Sequence, residues 1–416
     1  MNTDTGKDKK HNPLRILYIA TSFPEPDKGA TIYTDLAEAL HEAGYEITVA
    51  VSEQRKNRSG TSVAEERGFR VLRVVVGDYY DVGLIKKGIV ITCLPYIMRH
   101  EIKKKLGSES FDLILFETPP ITNINVVNWA QNHFRCSSYL MLKDIFPQNA
   151  ADLGILKQGG ILYKYYKRLE KKLYRQSTYI GCMSVGNREY ILKKNSWLDP
   201  SRVFVFPNTK KLAEDCQCRR YSARPEYRIP DSACCFMFGG NMGRPQNIPL
   251  LAEAVSRFAG RKDIFFVFVG RGTERGILEK MTGNGRIKNA LILDNLPRKD
   301  YEQLLKECDV GLITLDPRFT IPNYPSRILS YMEYGKPVAA ATDRVTDIRQ
   351  LIEESHCGKW CCSDSIEDFV LIIESLAADE DQRKLMGKNG RQYLEKNFDV
   401  QRSVELLINH CWRKSL

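Results

Sequence analysis

An α/β fold with two parallel sheets, each in its own domain, is the architecture that this sequence predicts. The chain has 416 residues, more than one hydrophobic core usually serves, which suits two domains of about 200 residues each. Short apolar runs alternate with amphipathic segments in both halves, as in β-α-β units. Between residues 212 and 231 a polar, arginine-rich stretch interrupts this alternation. We therefore expect a domain boundary there.

Strands and helices alternate along the first half. The run 15–20 predicts a first strand, 32–43 a helix that Gly44 ends, and 46–51 a second strand. This beginning is typical of a doubly wound sheet, and Gly29 in its first loop lets a ligand approach the backbone. The dinucleotide motif G-x-G-x-x-G is absent from that loop, which argues against NAD. Five further strands are predicted at 69–76, 112–117, 138–142, 179–183 and 203–206.

The second half repeats this plan. Apolar runs predict strands at 234–238, 265–269, 291–293, 310–315 and 337–341. Amphipathic segments predict helices at 247–258, 273–281, 300–308, 348–354, 366–376, 379–396 and 400–412. We therefore expect a disordered tail at 1–13, an N-terminal domain at 14–212, a linker at 213–231, a C-terminal domain at 232–398 and a last helix at 399–416 that packs on the N-terminal domain.

The stretch 324–338 is a candidate anion site. A buried strand leads into a helix that is predicted to begin at Pro325 and Ser326 and to end at Gly335. Ser326 is a candidate N-cap, and the first backbone N–H groups of such a helix can bind a phosphate. Arg327 adds a positive charge beside them. An ordinary β-α unit with a surface arginine is the alternative.

Net charge and the N-terminus bear on the partner and the compartment. The formal charge is +11, and residues 1–212 carry 32 Lys and Arg against 22 Asp and Glu, so this half holds almost all of the excess. The asymmetry predicts an anionic partner for the N-terminal domain. The sequence has no apolar run of transmembrane length, and its first residues lack the apolar core of a signal peptide, so we expect a cytoplasmic protein.

Twelve cysteines raise the question of a metal site. They are scattered along strand and helix patterns, so we interpret them as reduced core thiols. Cys216 with Cys218, and His356 with the three cysteines that follow it, are the groupings considered as zinc ligands. Neither has the paired spacing of a zinc finger, so we expect no metal.

A strongly basic segment runs from Lys157 to Arg175. It has seven Lys and Arg against one acid, interleaved with tyrosine and leucine. One side of a helix here would carry Ile161, Tyr165, Leu169 and Leu173. Such a helix suits an anionic membrane surface. Nucleic acid is a competing anionic partner, but the sequence has no nucleic-acid-binding motif to support it. The alternative to any partner is that these charges form the solvated face of a core helix.

Several predicted strands end in polar turns. Glu117 ends one, and Lys143 and Asp144 follow another. Because the carboxyl ends of parallel strands share one edge of the sheet, these side chains are candidates for a common ligand. A turn role for Asp144 before Pro147 is the alternative.

Six short motifs occur in order along the chain and together carry a resemblance. They are Ser22-Phe23-Pro24 with Gly29, Asp144-Ile145-Phe146-Pro147, Gly154-Ile155-Leu156, Pro207-Asn208, Gly240-Asn241-Met242-Gly243-Arg244-Pro245-Gln246, and Pro325-Ser326-Arg327 through Val338. On two Rossmann-like domains this set resembles the family 4 glycosyltransferases of GT-B architecture. It is most similar to the branch that builds O-antigen and capsule polysaccharides, and the resemblance spans nearly the whole chain.

The resemblance implies that a sugar is transferred from a nucleotide donor, preferably a UDP-sugar, with retention at the anomeric carbon and without metal or cofactor. A departing diphosphate needs positive charge and N–H donors, which Arg244 and Arg327 with the glycine turns would supply. Asp144 is the third catalytic candidate, where the family has a His-Asp pair, with Lys143 in place of the histidine. The donor-binding candidates are Gly29, Gly240, Asn241, Gly243, Gly270, Gly272, Pro325, Ser326, Ser330 and Glu333.

The sequence departs from the family at two carboxylates. Members often carry two glutamates eight positions apart, and Pro322 and Ser330 occupy the matching positions here. Ser330 can still bond a hydroxyl group. Glu333, one helical turn later, is a conceivable substitute, with a surface glutamate as the alternative.

The predicted acceptor is a lipid-linked saccharide at the inner face of the plasma membrane, which the chain would bind peripherally through 157–175. No nucleic-acid partner is expected. Two alternatives share the architecture. The missing glutamates favour a nucleotide-sugar-binding protein without transferase activity, whereas a UDP-sugar 2-epimerase would require histidines in the strand-end turns, and none of the six histidines lies there.

Overall fold

The chain forms two compact units. The computed structural model describes residues 13–79, 82–212, 223–283 and 287–412. The first unit contains residues 13–141 and 172–180, and the second contains 142–171 and 181–412. This division differs from the predicted boundary, because residues 142–171 and 181–212 group with the C-terminal half. Residues 213–222 of the predicted linker lie outside the described residues, as do the tail 1–12 and residues 413–416.

The first sheet has eight strands in the order β3-β4-β2-β1-β5-β6-β7-β8. They are β1 (Arg15–Ala20), β2 (Glu46–Gln54), β3 (Ser62–Glu66), β4 (Phe69–Val76), β5 (Leu113–Thr118), β6 (Ser137–Leu142), β7 (Tyr179–Cys182) and β8 (Val203–Val205). β1 pairs in parallel with β2 and β5, and β2 with β4. The edge strand β3 is antiparallel to β4.

The second sheet has six strands in the order β11-β10-β9-β12-β13-β14, and every neighbouring pair is parallel. They are β9 (Cys234–Gly239), β10 (Ile264–Val269), β11 (Ala290–Leu293), β12 (Val310–Thr314), β13 (Val338–Thr342) and β14 (Gly358–Cys362). The predicted class of two parallel-sheet α/β domains is therefore confirmed.

Helices connect these strands in both halves. Those before β9 are α1 (Ile32–Glu42), α2 (Leu84–Leu106), α3 (Ile124–Phe134), α4 (Gln148–Asp152), α5 (Ile161–Gln176) and α6 (Val185–Lys194). Those after β9 are α7 (Ile248–Arg257), α8 (Arg275–Thr282), α9 (Arg298–Glu307), α10 (Arg327–Glu333), α11 (Ile348–Ser355), α12 (Ile366–Ala378), α13 (Glu380–Asn397) and α14 (Val400–Trp412). The last helix returns to the first sheet, where His410 stacks on Phe204 with ring centroids 4.1 Å apart.

Both faces of the second sheet are covered, which explains its continuous apolar strands. Along β9, Phe236 and Phe238 belong to the core on one face, whereas Cys235 and Met237 belong to the core on the other. Successive side chains of a strand point to opposite faces, so a strand buried on both sides has no polar alternation. Helices α7 and α12 cover the first face, and α10 and α11 contribute to the second.

Strand β14 was not predicted from the sequence, and two of its residues were considered as zinc ligands. Cys361 and Cys362 lie in this strand, and with Cys357 they are buried free thiols. Among the described residues, no group of three or more His, Cys, Asp and Glu is placed to hold a metal ion. The other grouping, Cys216 with Cys218, lies outside the described residues.

Candidate functional site

Two glycine turns lie at the carboxyl edge of the second sheet, one after β9 and one after β10. Their backbones pair, because Gly240 N–H donates to Val269 O at 2.9 Å and Met242 N–H donates to Arg271 O at 2.8 Å. A Cβ on Gly270 would lie 2.0 Å from Gly240 O. Gly270 also has φ +143°, a backbone conformation that favours glycine. The close contact between the turns therefore explains Gly270 without a ligand.

Gly272, the next donor-binding candidate, has the same explanation. A Cβ on it would lie 2.3 Å from the backbone carbonyl of Met242. Gly240 differs, because the side chain nearest to its Cβ position is Arg327, with Nη2 at 3.7 Å. Gly240 has φ +120°. Its turn therefore lies against the arginine that was predicted to bind the diphosphate.

Arg327 carries a largely buried guanidinium at the start of α10. The group lies over the Phe238 ring, 4.2 Å from its centroid. Nη2 donates a hydrogen bond to Oε1 of Gln246 at 2.5 Å, whereas Nη1 is buried without a hydrogen-bond partner. Burial lowers the pKa of Arg327, and no carboxylate of the described residues pairs with it. An arginine stays charged in such surroundings, so this charge can serve an anionic ligand.

The predicted N-cap position of Ser326 is confirmed, but its side chain does not cap the helix. Ser326 holds the N-cap position of α10, but its hydroxyl accepts no capping hydrogen bond. The reason is its helical backbone, φ −59° and ψ −21°, because a capping side chain reaches back only from an extended residue. Pro325 and Ser326 border a crevice of only about 10 Å³ that Asn208 also lines. Ser330 is half-buried on the same short helix.

Glu333 does not lie on the surface, so the alternative interpretation of it as a surface glutamate is wrong. Only 2% of the residue is exposed, and its carboxylate forms an ion pair with Lys210. Its backbone carbonyl accepts a hydrogen bond from Arg391 at 2.8 Å. The carboxylate thus has a cation partner within the fold. The sequence could not reveal this contact, because Lys210 lies 123 positions earlier.

Arg244 begins a short 3-10 turn after the Gly240 turn and is exposed. Its charge acts on Asp316, a residue of the loop that follows β12. Burial raises the pKa of Asp316, but hydrogen bonds from Arg318 and the charges of Arg318 and Arg244 leave it below its ordinary value. Asn241 is exposed beside Arg244, and Gly243 is buried.

A cavity of about 460 Å³ opens within the second unit. Its polar lining comes from Lys143, Asp144, Asn149, Asn187, Gln246, Asn323 and Asp343. Gln246 joins the cavity to Arg327, because its side-chain oxygen accepts the hydrogen bond from that guanidinium. Asp144 thus lines the same cavity as Gln246, the residue to which Arg327 donates.

Asp144 lies directly after β6 in the wall of this cavity. Burial raises its pKa from 3.8 to about 6. The neighbouring Lys143, which stands where the family has a histidine, lies over the Phe206 ring at 5.6 Å from the centroid. Since perturbed carboxyl groups in clefts mark functional sites more often than surface groups do, Asp144 remains the candidate with the strongest electrostatic signature.

Three lining residues were missed by the sequence analysis: Asn187, Asn323 and Asp343. Each has a buried side-chain oxygen without a hydrogen-bond partner. Burial raises the pKa of Asp343 to about 6, although backbone N–H groups of Thr346 and Val345 act to lower it. Asp343 directly follows β13. A carboxylate at the end of a buried strand was the signal that could have identified it.

Part of the second unit is similar to a known family model. Residues 220–393 match the family model described as glycosyl transferases group 1. WbjE of Pseudomonas aeruginosa, described as a glycosyltransferase, is 27% identical over 64% of this chain and 66% of its own length. WcaI of Escherichia coli K12, described as a glycosyl transferase of colanic acid biosynthesis, is 24% identical over 50% of this chain and 51% of its own. The chain thus spans less than two thirds of either relative.

Solved structures show the same fold. The crystal structure of Anabaena Alr3699/HepE in complex with UDP covers 97% of this chain and 100% of its own, with a TM-score of 0.68 and 14% identity. This likeness supports the GT-B type of architecture with two α/β domains. The glycosyl transferases group 1 match includes Gly240, Arg244 and Arg327 but not Asp144.

In the first unit, the donor-binding candidate Gly29 lies in the loop between β1 and α1. Its φ is +108°, and its carbonyl accepts a hydrogen bond from Arg67 at 2.5 Å. Glu117 fixes the same loop, since its Oε1 accepts from the Thr21 N–H at 2.7 Å. A polar cavity of about 460 Å³ borders this loop.

Helix α5 differs in part from its prediction. Ile161, Leu162 and Tyr165 are exposed, at 89%, 60% and 45%, but Leu173 is buried. The predicted apolar side therefore turns into the core at its C-terminal end. The exposed basic residues of the same helix are Lys164, Arg168, Lys171 and Arg175. No helix within the described ranges combines the length and hydropathy that crossing a membrane requires.

Proposed function

We propose that the protein is a retaining, metal-independent glycosyltransferase that moves a sugar from a nucleotide donor, preferably a UDP-sugar, to a lipid-linked saccharide of surface-polysaccharide biosynthesis. The observation that carries the proposal is Arg327, a buried cation without a carboxylate partner beside a glycine turn and a cavity. The glycosyl transferases group 1 match and the descriptions of WbjE and WcaI support it. The complex of Alr3699/HepE with UDP supports the choice of nucleotide.

In the proposed reaction, the bond between the anomeric carbon and the diphosphate breaks while the acceptor hydroxyl bonds to that carbon on the same face. Negative charge develops on the departing diphosphate. Arg327 would neutralise it from a buried position, where electrostatic stabilisation is strong. Arg244, on the exposed side of the same turn, would add a second charge. The backbone N–H groups of Gly240 and Met242 are not available for this role, because they donate to the neighbouring turn.

Asp144 is the proposed partner of the sugar or the acceptor. Above a pH of about 6 its carboxyl group is ionised, so at neutral pH it can accept a proton or stabilise the positive charge that develops at the anomeric carbon. Below that pH it is neutral and can do neither. Transfer should therefore have an acid limb near pH 6.

The proposed acceptor brings the protein to the inner face of the plasma membrane as a peripheral protein. Exposed Ile161, Leu162 and Tyr165 lie among basic residues on α5. This combination suits a leaflet with anionic lipids, because apolar side chains enter the interface and lysines meet the headgroups.

A thermal-shift screen of UDP-, GDP- and TDP-sugars followed by a transfer assay tests the proposal. A ligand at one hundred times its Kd stabilises the folded state by about 2.7 kcal/mol, which is a shift of a few degrees. The best donor, labelled in the sugar, should then pass label to a lipid-linked acceptor, with its anomeric configuration retained. Donor binding without transfer or hydrolysis would favour the binding protein without transferase activity, and a changed sugar on the donor would favour the epimerase.

A further inference from the structure

The cavity of the second unit is lined by three residues whose buried side-chain oxygens have no hydrogen-bond donor. Asp343 Oδ2, Asn187 Oδ1 and Asn323 Oδ1 are all buried without a partner, and all three residues line the same cavity. Leaving a buried polar group unpaired costs about 1–3 kcal/mol. A ligand with several hydrogen-bond donors would remove this free-energy cost for all three groups.

Asp343 is the most strongly constrained of the three. Only 1% of the residue is exposed. Its Oδ1 accepts hydrogen bonds from the backbone N–H groups of Val345 at 3.0 Å and Thr346 at 2.8 Å. These bonds fix the carboxyl group and leave Oδ2 as the unpaired oxygen. The orientation of the side chain is therefore set by the fold before any ligand arrives.

The two asparagines hold their acceptors in a similar way. Asn187 is 2% exposed and donates through Nδ2 to Pro322 O at 2.9 Å, so its other side-chain atom is the oxygen. Asn323 accepts from Thr346 Oγ1 at 2.6 Å through its backbone carbonyl, which ties it to the segment that holds Asp343. The three acceptors thus belong to one connected framework.

The chemistry of this lining selects between the two ends of a nucleotide sugar. A phosphate offers only acceptors and negative charge, and at Asp343, Asn187 and Asn323 it would meet further acceptors. The cation of the lining, Lys143, lies over the Phe206 ring instead. A sugar offers hydroxyl donors. Phe146, Leu315, Phe319 and Ile321 supply an apolar wall that suits the C–H face of a pyranose ring. Arg327 is not part of this lining but donates a hydrogen bond to one of its residues, Gln246.

We propose that Asp343, Asn187 and Asn323 are the specificity-determining residues that accept hydrogen bonds from hydroxyl groups of the transferred sugar, while Arg327 takes the diphosphate. This inference rests on the proposed function. It requires that these three residues strengthen the binding of the sugar part of the donor and leave the binding of the nucleotide part unchanged. A site built to pair a hydroxyl discriminates strongly against ligands that lack it.

The test compares the affinities of UDP and of the UDP-sugar with the largest thermal shift, by calorimetry, in the wild type and in Asp343→Asn. The amide keeps the Oδ1 acceptor for the backbone but replaces the Oδ2 acceptor by a donor. We expect the UDP-sugar to bind at least about tenfold more weakly, with UDP affinity unchanged within about twofold. A structural role alone would weaken both ligands together.

Asn323→Ala, at a half-buried position, repeats the test if Asp343→Asn does not fold. Equal UDP-sugar affinity in the wild type and in the folded variants would overturn the inference and leave the proposed function standing. A wild type that neither binds nor transfers any nucleotide sugar would instead overturn the proposed function. Exposed Asp263→Asn is the matched control and should change neither affinity.

Discussion

Asp144→Asn should stabilise the fold while abolishing transfer. Burial raises the pKa of Asp144 from 3.8 to about 6, which means that the folded protein disfavours the ionised carboxylate. At neutral pH the ionised form therefore costs the folded state about 3 kcal/mol at most. Asparagine has a similar shape and no charge, so the variant avoids this cost.

The pH dependence has a definite sign. Between pH about 4 and 6 the folded protein binds more protons at Asp144 than the unfolded chain does. The free energy of unfolding contributed by this group therefore falls as the pH rises through that range, and the loss is complete above pH 6. Well below pH 3.8 the carboxyl group is protonated in both states. At pH 4 the remaining cost to the folded state is only about 0.6 kcal/mol, so the wild type and Asp144→Asn should then be almost equally stable.

Urea denaturation of both proteins at pH 4, 5, 6 and 7.5 measures this difference. Other titrating carboxyl groups affect both proteins equally and cancel in the comparison. Asp263→Asn is the control, because Asp263 is exposed and its hydrogen bond with Arg261 lowers its pKa; its change in stability should stay within about 0.5 kcal/mol. An Asp144→Asn variant that is less stable than the wild type at pH 7.5, or a difference that does not grow between pH 4 and 6, would refute the reasoning.

Two other predictions test the turns and the membrane surface. Gly270→Ala should lower the free energy of unfolding by about 1–3 kcal/mol, because its backbone has φ +143° and its Cβ would meet Gly240 O. The control is Gly276→Ala, which should not destabilise the protein because the Cβ position at Gly276 is open. Leu162→Asn should reduce sedimentation of the protein with phosphatidylserine vesicles at least about tenfold. The control is Leu371→Asn, because Leu371 has the same 60% exposure but lies on α12; it should sediment like the wild type. Equal sedimentation of both variants would argue against α5 as the membrane contact.

The parts of the fold that the sequence predicted well are those where one local pattern decides the structure. The run 310–315 was predicted as a buried strand and contains β12, because a strand covered on both faces must be apolar throughout. The end of the next helix at Gly335 was also predictable, since its φ of +60° suits glycine. Arg327 was recognised as a candidate because it follows such a strand.

The parts that were not predicted depend on contacts far apart in the sequence or on backbone angles. Ser326 has the right residue type for a cap, but its helical φ and ψ prevent the bond. Glu333 is buried only because Lys210 neutralises it. Asp343 became a candidate when the fold placed Asn187 and Asn323 in the same wall. Strand β14 was missed because its glycine, lysine and cysteines do not form an apolar run.

The proposed role of Arg327 is tested most directly by titrating UDP into the wild type and into Arg327→Ala, with turnover measured on the same proteins. Arg257→Ala is the matched control, since that arginine is exposed on α7 and pairs with Glu253. The account predicts that Arg327→Ala weakens UDP binding and lowers turnover, each at least about tenfold, while uridine binding and the control stay unchanged. UDP affinity and turnover that survive the loss of this guanidinium would contradict the claim that it holds the departing diphosphate.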